Sequence, residues 1–309
     1  KEIYISIIKN RILKNNKRLE KLMKKRNVSA YRVYHHDIPE FPYFIDIYND
    51  KVILHDRRRL GIDDSPRKQI NYDETILAIE EIFQIKPILK KRREQKRTDN
   101  YKRINFGDNF STIQEGDLKL RVNLFDYIDT GVFLDHRPLR KKLIDESRGK
   151  EILNLFSYTC TISAACAFHA KKVISMDLSQ KYLDWGIENF KLNNIDPKLH
   201  AFRAVDIMEE LTSVQKNSFD IIILDPPTFS NSKKMRTTLD VKRDQEFLLS
   251  NCMQILKPDG KLYFSTNNLE FRMQFDNPKI NIKNITFKTL DDDFKNTKIH
   301  QCFELTWKS

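Results

Sequence analysis

The feature that most constrains the fold is a short apolar segment that ends abruptly in an acid and two prolines. The run Phe219-Asp220-Ile221-Ile222-Ile223-Leu224 is followed by Asp225-Pro226-Pro227-Thr228-Phe229. β-branched residues in continuous series predict a strand buried on both faces, as in parallel sheets. Proline cannot donate to a strand ladder, so the strand ends there with a carboxylate at its tip. In open α/β sheets, ligands bind at that edge.

Strands and helices alternate along the C-terminal part of the chain. Alternation of this kind predicts a parallel sheet covered by helices on both faces, a Rossmann-like α/β fold, and the last two strands form an antiparallel edge. The predicted strands are 151–155, 172–176, 199–204, 219–224, 260–266, 283–288 and 301–307, and the predicted helices are 137–147, 160–169, 179–193, 206–216 and 240–256.

The N-terminal part is much more basic than the rest. Residues 1–125 hold 28 Lys and Arg against 18 Asp and Glu, while the whole chain has a net charge of +12. We interpret 1–125 as a smaller basic α+β accessory domain that binds RNA, and 126–309 as the domain that carries the chemistry. A solvated basic surface is the alternative. The elements predicted in 1–125 are an amphipathic helix at 5–26, strands at 30–35, 43–48, 51–55 and 118–124, a helix at 73–84 and a loop around Gly107 and Gly116.

Composition bounds the cellular setting. No apolar run approaches the roughly 18 residues of a membrane span, and no secretory leader is recognisable. The four cysteines form no CxxC pair, which argues against a zinc site or a disulfide framework and fits a reducing cytosol. We therefore expect a cytoplasmic protein with no membrane partner and no metal site. His136 has no second ligand at metal spacing in the sequence.

Three strand ends carry groups suited to a nucleoside cofactor. A loop that opens a helix offers backbone N–H groups to a carboxylate, although Cys160 stands where glycine is usual and an ordinary turn is the alternative. Asp177 can accept both ribose hydroxyls, because Ser179 can take the helix cap. Asp206 can accept an adenine amino group, with a helix cap as the alternative. The predicted cofactor residues at these ends are Asn154, Phe156, Ser157, Tyr158, Thr159, Asp177, Leu178, Asp206 and Ile207.

The predicted catalytic group lies at the fourth strand end, where Asp225 also borders the cofactor. A carboxylate and backbone carbonyls there can orient a flipped base, and an aromatic ring can stack on it. Upstream, we interpret Arg137 as part of the lip of the cofactor pocket, with a solvated arginine at a domain junction as the alternative. The catalytic set is Asp225, Pro226, Pro227 and Phe229.

Two basic runs are candidate RNA contacts, because lysine and arginine bind phosphates. One lies in the densest charge cluster of the N-terminal part, and the other follows the predicted catalytic segment. A solvated face is the alternative for both runs. The residues are Lys91, Arg92, Arg93, Lys233 and Lys234.

Several of these segments together resemble one family, the C-terminal half of the bacterial bifunctional 23S rRNA guanine methyltransferase, which forms 7-methylguanine. Many S-adenosylmethionine-dependent methyltransferases of nucleic acids share the strand followed by Asp-Pro-Pro-X-aromatic. The similarity runs almost end to end and includes Phe271-Arg272-Met273 and His300. Its main segments are Asp126-Tyr127-Ile128-Asp129-Thr130-Gly131, Phe133-Leu134-Asp135-His136-Arg137, Asn154-Leu155-Phe156-Ser157-Tyr158-Thr159 and Asp225-Pro226-Pro227-Thr228-Phe229-Ser230-Asn231-Ser232-Lys233.

The resemblance implies a class I methyltransferase sheet that uses S-adenosyl-L-methionine and releases S-adenosyl-L-homocysteine. It implies guanine N7 of 23S rRNA as the acceptor, before ribosome assembly is complete. A covalently linked N-terminal guanine-N2 methyltransferase half is a further implied partner.

The residues fit an acceptor that needs little acid–base help. Guanine N7 has a free lone pair, so in-line positioning suffices, and the sequence offers no evident His or Glu base at the end of the Asp225 strand. A cytosine-5 methyltransferase needs a cysteine nucleophile, which related enzymes carry where this chain has Phe264-Ser265-Thr266-Asn267-Asn268. Two alternatives stay open: an rRNA cytosine-5 methyltransferase, and a non-catalytic RNA-binding or ribosome-assembly module.

Overall fold

The computed structural model describes residues 2–58, 65–91, 109–231, 236–294 and 299–308. The chain divides into two compact units, residues 1–134 with 291–296, and residues 135–290 with 297–309. The first unit therefore keeps residues 126–134, which the sequence analysis assigns to the second domain, and also takes a short segment from late in the chain.

A four-stranded sheet and two helices build the first unit. Its strands are β1 (Ala30–His35), β2 (Tyr43–Tyr48), β3 (Lys51–Asp56) and β4 (Ile88–Lys91), in that order, with β4 parallel to β3 and the other pairs antiparallel. The helices are α1 (Glu2–Lys25) and α2 (Pro66–Phe83), and the hairpin of β5 (Phe110–Glu115) and β6 (Leu118–Asn123) forms a separate sheet.

The helical spacing of α1 is confirmed by its packing. Ile8, Ile12, Leu19 and Met23 are buried in one apolar core with side chains of β1 to β3. One side of this helix therefore faces the core, as the spacing of its apolar residues predicts.

Two predictions for the first unit were wrong in extent. The helix predicted from residue 73 begins at Pro66, because the Ser65 side chain caps it and proline is suited to the first helical position. Of the loop predicted around Gly107 and Gly116, Gly107 lies outside the described residues, and Gly116 lies in a tight turn between two strands, with a φ of +62°. That left-handed conformation favours glycine.

The second unit is a seven-stranded sheet with helices, which confirms the predicted Rossmann-like α/β class. The strand order is β14-β15-β13-β10-β7-β8-β9, and β13, β10, β7, β8 and β9 run parallel. The sheet strands are β7 (Glu151–Leu155), β8 (Lys172–Asp177), β9 (Ala201–Ala204), β10 (Phe219–Leu224), β13 (Leu256–Thr266), β14 (Ile280–Asn284) and β15 (Gln301–Trp307). A two-stranded ribbon pairs β11 (Phe229–Ser230) with β12 (Leu239–Asp240).

The helices of this unit are α3 (Arg137–Glu146), α4 (Thr161–Ala167), α5 (Gln180–Leu192), α6 (Ile207–Glu210) and α7 (Val241–Ile255). The predicted helix 206–216 was wrong in length, since α6 ends at Glu210 and the chain continues as a turn in which the Thr212 hydroxyl donates to Glu209 O and Ser213 N–H donates to Glu210 O. The antiparallel edge is confirmed, but the predicted strand 283–288 was displaced, since the Asn284 side chain accepts from Thr286 N–H and turns the chain.

The topology determines where a ligand can bind. β7 lies in the middle of the parallel strands, with β10 on one side and β8 on the other. The strands β8 and β9 are therefore added on one side of β7, and β10 and β13 on the other. In sheets of this type, the crevice at the carboxyl ends of the two neighbouring strands is the binding position. In the part of the chain that the structure describes, no helix is long and apolar enough to cross a membrane.

Candidate active site

Three acids lie at one edge of the parallel sheet. Asp177 is the last residue of β8, Asp206 follows β9, and Asp225 directly follows β10. Because these strands are parallel, their carboxyl ends share one edge, and the loop after β7 lies there too. The acids, which come from separate parts of the chain, therefore lie at the same edge of the sheet.

The loop between β7 and α4 has an unusual backbone. Phe156, Tyr158 and Cys160 have φ values of +56°, +51° and +56°, which residues with a Cβ adopt at a cost of about 1–2 kcal/mol each. Backbone bonds hold this shape, with Ser157 N–H donating to Met176 O at 2.9 Å and Cys160 N–H donating to Ser157 O at 2.8 Å. Strained backbone of this kind concentrates at ligand sites.

Cys160 fits at a position where glycine was expected because a glycine lies opposite it. Its side chain is buried against α5, where a Cβ built on Gly186 would come within 2.5 Å of the Cys160 sulfur. The space left by Gly186 therefore accommodates the thiol inside the protein. Burial raises the pKa of Cys160 to about 12, so the thiol stays protonated at neutral pH.

Asp177 is held firmly and keeps acceptor capacity. Its two oxygens accept from Tyr158 N–H and Ser179 N–H, each at 2.9 Å. Burial raises the pKa of Asp177, and the backbone donors oppose that shift by stabilising the charged form. Leu178 N–H is a third backbone donor, and a carboxylate has about four acceptor sites, so capacity for a ribose hydroxyl remains. Ser179, rather than Asp177, caps the N-terminus of α5, as the sequence analysis predicts.

Asp206 has a structural partner of its own. It is the N-cap of α6, with one oxygen accepting from Met208 N–H at 3.1 Å and the other from Arg236 N–H at 3.3 Å. The helix cap weighed in the sequence analysis is therefore present. Ile207 is buried in the apolar core of this unit, and Leu178 is half-buried.

The other predicted cofactor residues differ in burial and in hydrogen bonding. The Asn154 amide donates to Ser163 Oγ at 2.8 Å inside the protein, so its side chain anchors α4. Thr159 is buried, and its carbonyl accepts from Asn189 at 2.8 Å. Phe156 and Tyr158 remain half-buried at the loop surface, and Arg137 is buried as the first residue of α3.

The segment after β10 presents one aromatic ring to solvent. Asp225 is partly exposed, Pro226 is buried, Pro227 is exposed, and Phe229 is 55% exposed. Phe229 also pairs across the ribbon with Asp240. An exposed ring on a paired strand is a suitable stacking surface for a base.

Two residues near Asp225 escaped the analysis of strand ends. Ser265 Oγ donates to Asp225 Oδ1 at 2.6 Å, and His136 Nε2 lies 3.8 Å from Asp225 Oδ2. The expectation that no histidine lies at this strand end was therefore wrong. The strand register Leu224 with Phe264 brings Ser265 beside Asp225, and a single sequence carries no direct signal for that register.

A buried histidine pair extends from this point. His300 Nδ1 lies 2.7 Å from Asp135 Oδ2, and atoms of Asp135, His136 and His300 approach within 4.8 Å, as metal ligands would. Both ring nitrogens of His300 already have hydrogen-bond partners, Asp135 and Thr289. We therefore interpret the group as a hydrogen-bonded network.

The predicted RNA contacts are not described by the structure. Arg92, Arg93, Lys233 and Lys234 lie outside the described residues, and Lys91 ends β4 with a side chain that is not described.

All four cysteines of the chain are buried. Burial raises the pKa of Cys166 and Cys302 to about 12 and that of Cys252 further still, in addition to Cys160. A thiol in this state is a poor nucleophile.

Comparison with known proteins defines the class that this fold and site belong to. A family model described as S-adenosylmethionine-dependent methyltransferase matches residues 89–276, and the chain belongs to that family. S-adenosylmethionine is accordingly its cofactor, and the acceptor capacity of Asp177 and the shaped loop at 156–160 fit such a molecule.

The curated relatives are more specific in name. Ribosomal RNA large subunit methyltransferase K/L of Legionella pneumophila is 38% identical over 301 residues, covering 96% of this chain and 42% of the relative. The protein of the same name in Pseudomonas fluorescens is 41% identical over 303 residues, covering 96% and 40%. The chain thus spans about two fifths of the length of the relatives it matches.

Solved structures agree on the fold. A methyltransferase complexed with S-adenosylhomocysteine has a TM-score of 0.78 at 22% identity and covers 97% of this chain and 81% of its own. An S-adenosylmethionine-dependent methyltransferase from Streptococcus mutans has a TM-score of 0.77 with the same identity and coverage. At this identity the likeness concerns the fold alone.

Proposed function

We propose that the chain transfers the methyl group of S-adenosylmethionine to N7 of a guanine in 23S rRNA, without a covalent enzyme intermediate. The observation that carries the proposal is the partly exposed Asp225 at the carboxyl end of β10, beside the switch in strand order at β7. The names of the curated relatives support rRNA as the substrate, and the resemblance supports N7 as the acceptor.

The proposed roles follow from the two sides of the crevice. On the β8 side, Asp177 accepts ribose hydroxyls, Asp206 and Ile207 border the adenine, and loop 156–160 accommodates the methionine part. On the β10 side, Asp225 accepts hydrogen bonds from the base edge and Phe229 stacks on the ring. The N7 lone pair needs no proton removed, so alignment with the methyl sulfonium supplies most of the catalysis.

The state of the cysteines disfavours the cytosine-5 alternative. That reaction requires a thiolate to add to the pyrimidine ring, and all four thiols are buried, with raised pKa values. Residues 267 and 268, which follow β13, are asparagines. Attack by a ring nitrogen lone pair requires no such nucleophile.

The RNA form is part of the proposal. We infer that the substrate is rRNA before assembly is complete, because a base must leave its stack to reach a crevice at a sheet edge. The basic N-terminal residues, with the excess of Lys and Arg in 1–125, supply sequence-independent phosphate contacts. A linked N2-guanine methyltransferase half accounts for the greater length of the relatives.

Replacement of Asp225 tests the catalytic assignment. We expect Asp225→Ala to lower methyl transfer from labelled cofactor to protein-free 23S rRNA by at least about 100-fold, because the base loses its positioning acceptor. Cofactor affinity by calorimetry and RNA affinity by filter binding should change by less than about threefold.

Asp240→Ala is the matched control, since Asp240 caps α7 and lies on the ribbon strand opposite Phe229. If Asp225→Ala retains full transfer, the assignment is wrong. If the unaltered chain binds cofactor and RNA but transfers nothing, the non-catalytic alternative holds.

A further inference from the structure

Four titratable side chains from three parts of the second unit meet at the end of β10. Asp225 Oδ2 and Asp135 Oδ2 each lie 3.8 Å from His136 Nε2. Asp135 Oδ2 is also 2.7 Å from His300 Nδ1, and His300 Nε2 is 2.9 Å from Thr289 Oγ. These contacts link Asp225 with residues far from it in sequence.

The antiparallel edge strand explains how His300 arrives. β15 pairs with β13 in the register Ser265 with Cys302 and Thr266 with Gln301. Since β15 runs opposite to the parallel strands, its first residues lie at their carboxyl ends. His300 immediately precedes β15 and therefore lies at the edge that carries Asp225.

The hydrogen bonds of His300 limit its ring to two forms. Its Nδ1 donates to Asp135, because a carboxylate can only accept. The Thr289 hydroxyl oxygen lies 2.9 Å from both His300 Nε2 and Thr286 O, and its one hydrogen can go to either acceptor. The ring is neutral when the hydroxyl donates to Nε2. When the hydroxyl donates to Thr286 O, Nε2 also carries hydrogen, all three contacts are bonds at once, and the ring is a cation paired with Asp135.

The pKa of His136 depends on its burial and on four charged or titratable neighbours. Burial lowers the pKa of His136, the carboxylates of Asp225 and Asp135 oppose this, and His300 and Arg140 add to the lowering. The His136 ring is therefore neutral at neutral pH. It lies between two carboxylates, those of Asp225 and Asp135, and the second of these is bonded to His300.

We propose that His300 is a cation paired with Asp135, and that His300, Asp135 and His136 are positioning residues that keep the Asp225 carboxylate out of an ion pair with His136 and directed toward the substrate base. The pair of His300 with Asp135 removes one negative charge next to His136. Without that pair, His136 would take up a proton and bind Asp225, which would turn the carboxylate from the base and cancel its charge. The proposal rests on the proposed function for the role of Asp225.

The first test reads the rings directly and needs no substrate. In nitrogen-15 NMR of the whole chain, the signals lost in His300→Asn and in His136→Asn assign these two among the seven histidines. They should show two protonated nitrogens on His300 and a neutral His136 at pH 7. In His300→Asn, the titration midpoint of His136 should rise by about one pH unit or more. In Asp135→Asn/His300→Asn, which removes both charges, it should return toward its original value.

The second test is the pH profile of methyl transfer at saturating cofactor and RNA. In His300→Asn the rate should fall by about tenfold per pH unit below the new His136 midpoint, while the unaltered chain stays flat there. The double variant should recover the flat profile, and cofactor affinity should stay within about twofold throughout. His169→Asn, a half-buried histidine of the same unit, is the control.

The outcomes separate the two proposals. An inactive unaltered chain with the expected NMR result overturns the proposed function and leaves the state of the network supported. A neutral His300, or a His136 midpoint unmoved in His300→Asn, overturns the network even if the chain is active. Stoichiometric zinc binding at micromolar concentration that is lost in His300→Asn also overturns it, since the three side chains would then be metal ligands.

Discussion

Cys160 and Gly186 illustrate how one residue depends on another across the fold. The sequence places a cysteine where glycine is usual in a cofactor loop. In the structure the thiol packs toward α5 instead, where Gly186 leaves the necessary space. Gly186 therefore compensates for the larger side chain of Cys160, and the loop retains its left-handed backbone at residue 160.

This compensation predicts a coupled stability effect. Gly186→Ala gains up to about 1 kcal/mol of helix propensity, but its Cβ would lie 2.5 Å from the Cys160 sulfur. We expect a net loss of about 1–3 kcal/mol in the free energy of unfolding, from denaturant titration followed by tryptophan fluorescence. Cys160→Gly in the same chain should restore about 1 kcal/mol or more, whereas additive effects of the two changes would refute the contact.

Asp177 allows a direct test of cofactor binding. Its two oxygens are fixed by backbone donors, and we propose that the remaining lone pairs bind the ribose. We expect Asp177→Asn to weaken S-adenosylmethionine binding by roughly 10–100-fold, as loss of hydrogen bonds to a charged acceptor costs about 1.5–3 kcal/mol. Calorimetry measures this, with Asp184→Asn on the exposed side of α5 as control. Equal affinity in both variants would remove the ribose role.

The candidate site residues that could be predicted are those placed by their position directly after a strand in the sequence. An acid after a buried strand is visible in sequence, so Asp177 and Asp225 could be found. Ser265 and His300 reach Asp225 through strand register and an antiparallel edge, which no local pattern encodes. His300 was noted among the resembling residues, but its contact with Asp135 depends on the folded sheet.

Among whole elements, the sequence located long strands and helices better than their ends. The continuous apolar strands β7 and β10 have the predicted bounds, because burial on both faces leaves a strong compositional pattern. α6 and β14 were misjudged, since α6 passes into a turn after one helical turn and β14 ends where the Asn284 side chain accepts from Thr286 N–H. The hydrogen bond of a single side chain can end a helix or strand, and the spacing of apolar residues does not reveal it.

Three neighbouring strands of the first unit, β1, β2 and β3, share a buried ion pair. Arg32 of β1 donates to both oxygens of Asp46 in β2, at 2.7 and 2.9 Å, and His55 of β3 lies 3.1 Å from the same carboxylate. Burial would raise the pKa of Asp46, but Arg32 and His55 outweigh it and hold the pKa well below its usual range. The charged carboxylate therefore holds three strands together.

This pair predicts an acid-dependent loss of stability. Because the folded pKa of Asp46 is lower than the unfolded one, its contribution is complete above about pH 4 and disappears as pH falls below that. Asp46→Asn should lose about 3–5 kcal/mol at pH 7, because Arg32 keeps a buried charge without its carboxylate, and should lack this acid-dependent step. Urea unfolding at pH 7 and 3 measures both effects. Asp50→Asn, in the exposed turn after β2, should behave like the unaltered chain.

For the whole molecule, the distribution of charge and the family of the second unit are consistent with a methyltransferase that acts on a polyanion. The excess positive charge of residues 1–125 fits phosphate binding, and the sheet of the second unit belongs to a methyltransferase family. The relatives are longer than this chain, so its activity alone must be measured rather than taken from the whole protein. The division into two compact units also raises the question of which one binds RNA.

The most direct measurement is the identity of the methylated nucleoside. Protein-free 23S rRNA lacking this modification is incubated with the chain and deuterium-labelled S-adenosylmethionine, then digested and analysed by mass spectrometry. The account predicts labelled 7-methylguanosine, absent with Asp225→Ala. Label in 5-methylcytidine or N2-methylguanosine, or no label despite bound cofactor, would contradict it.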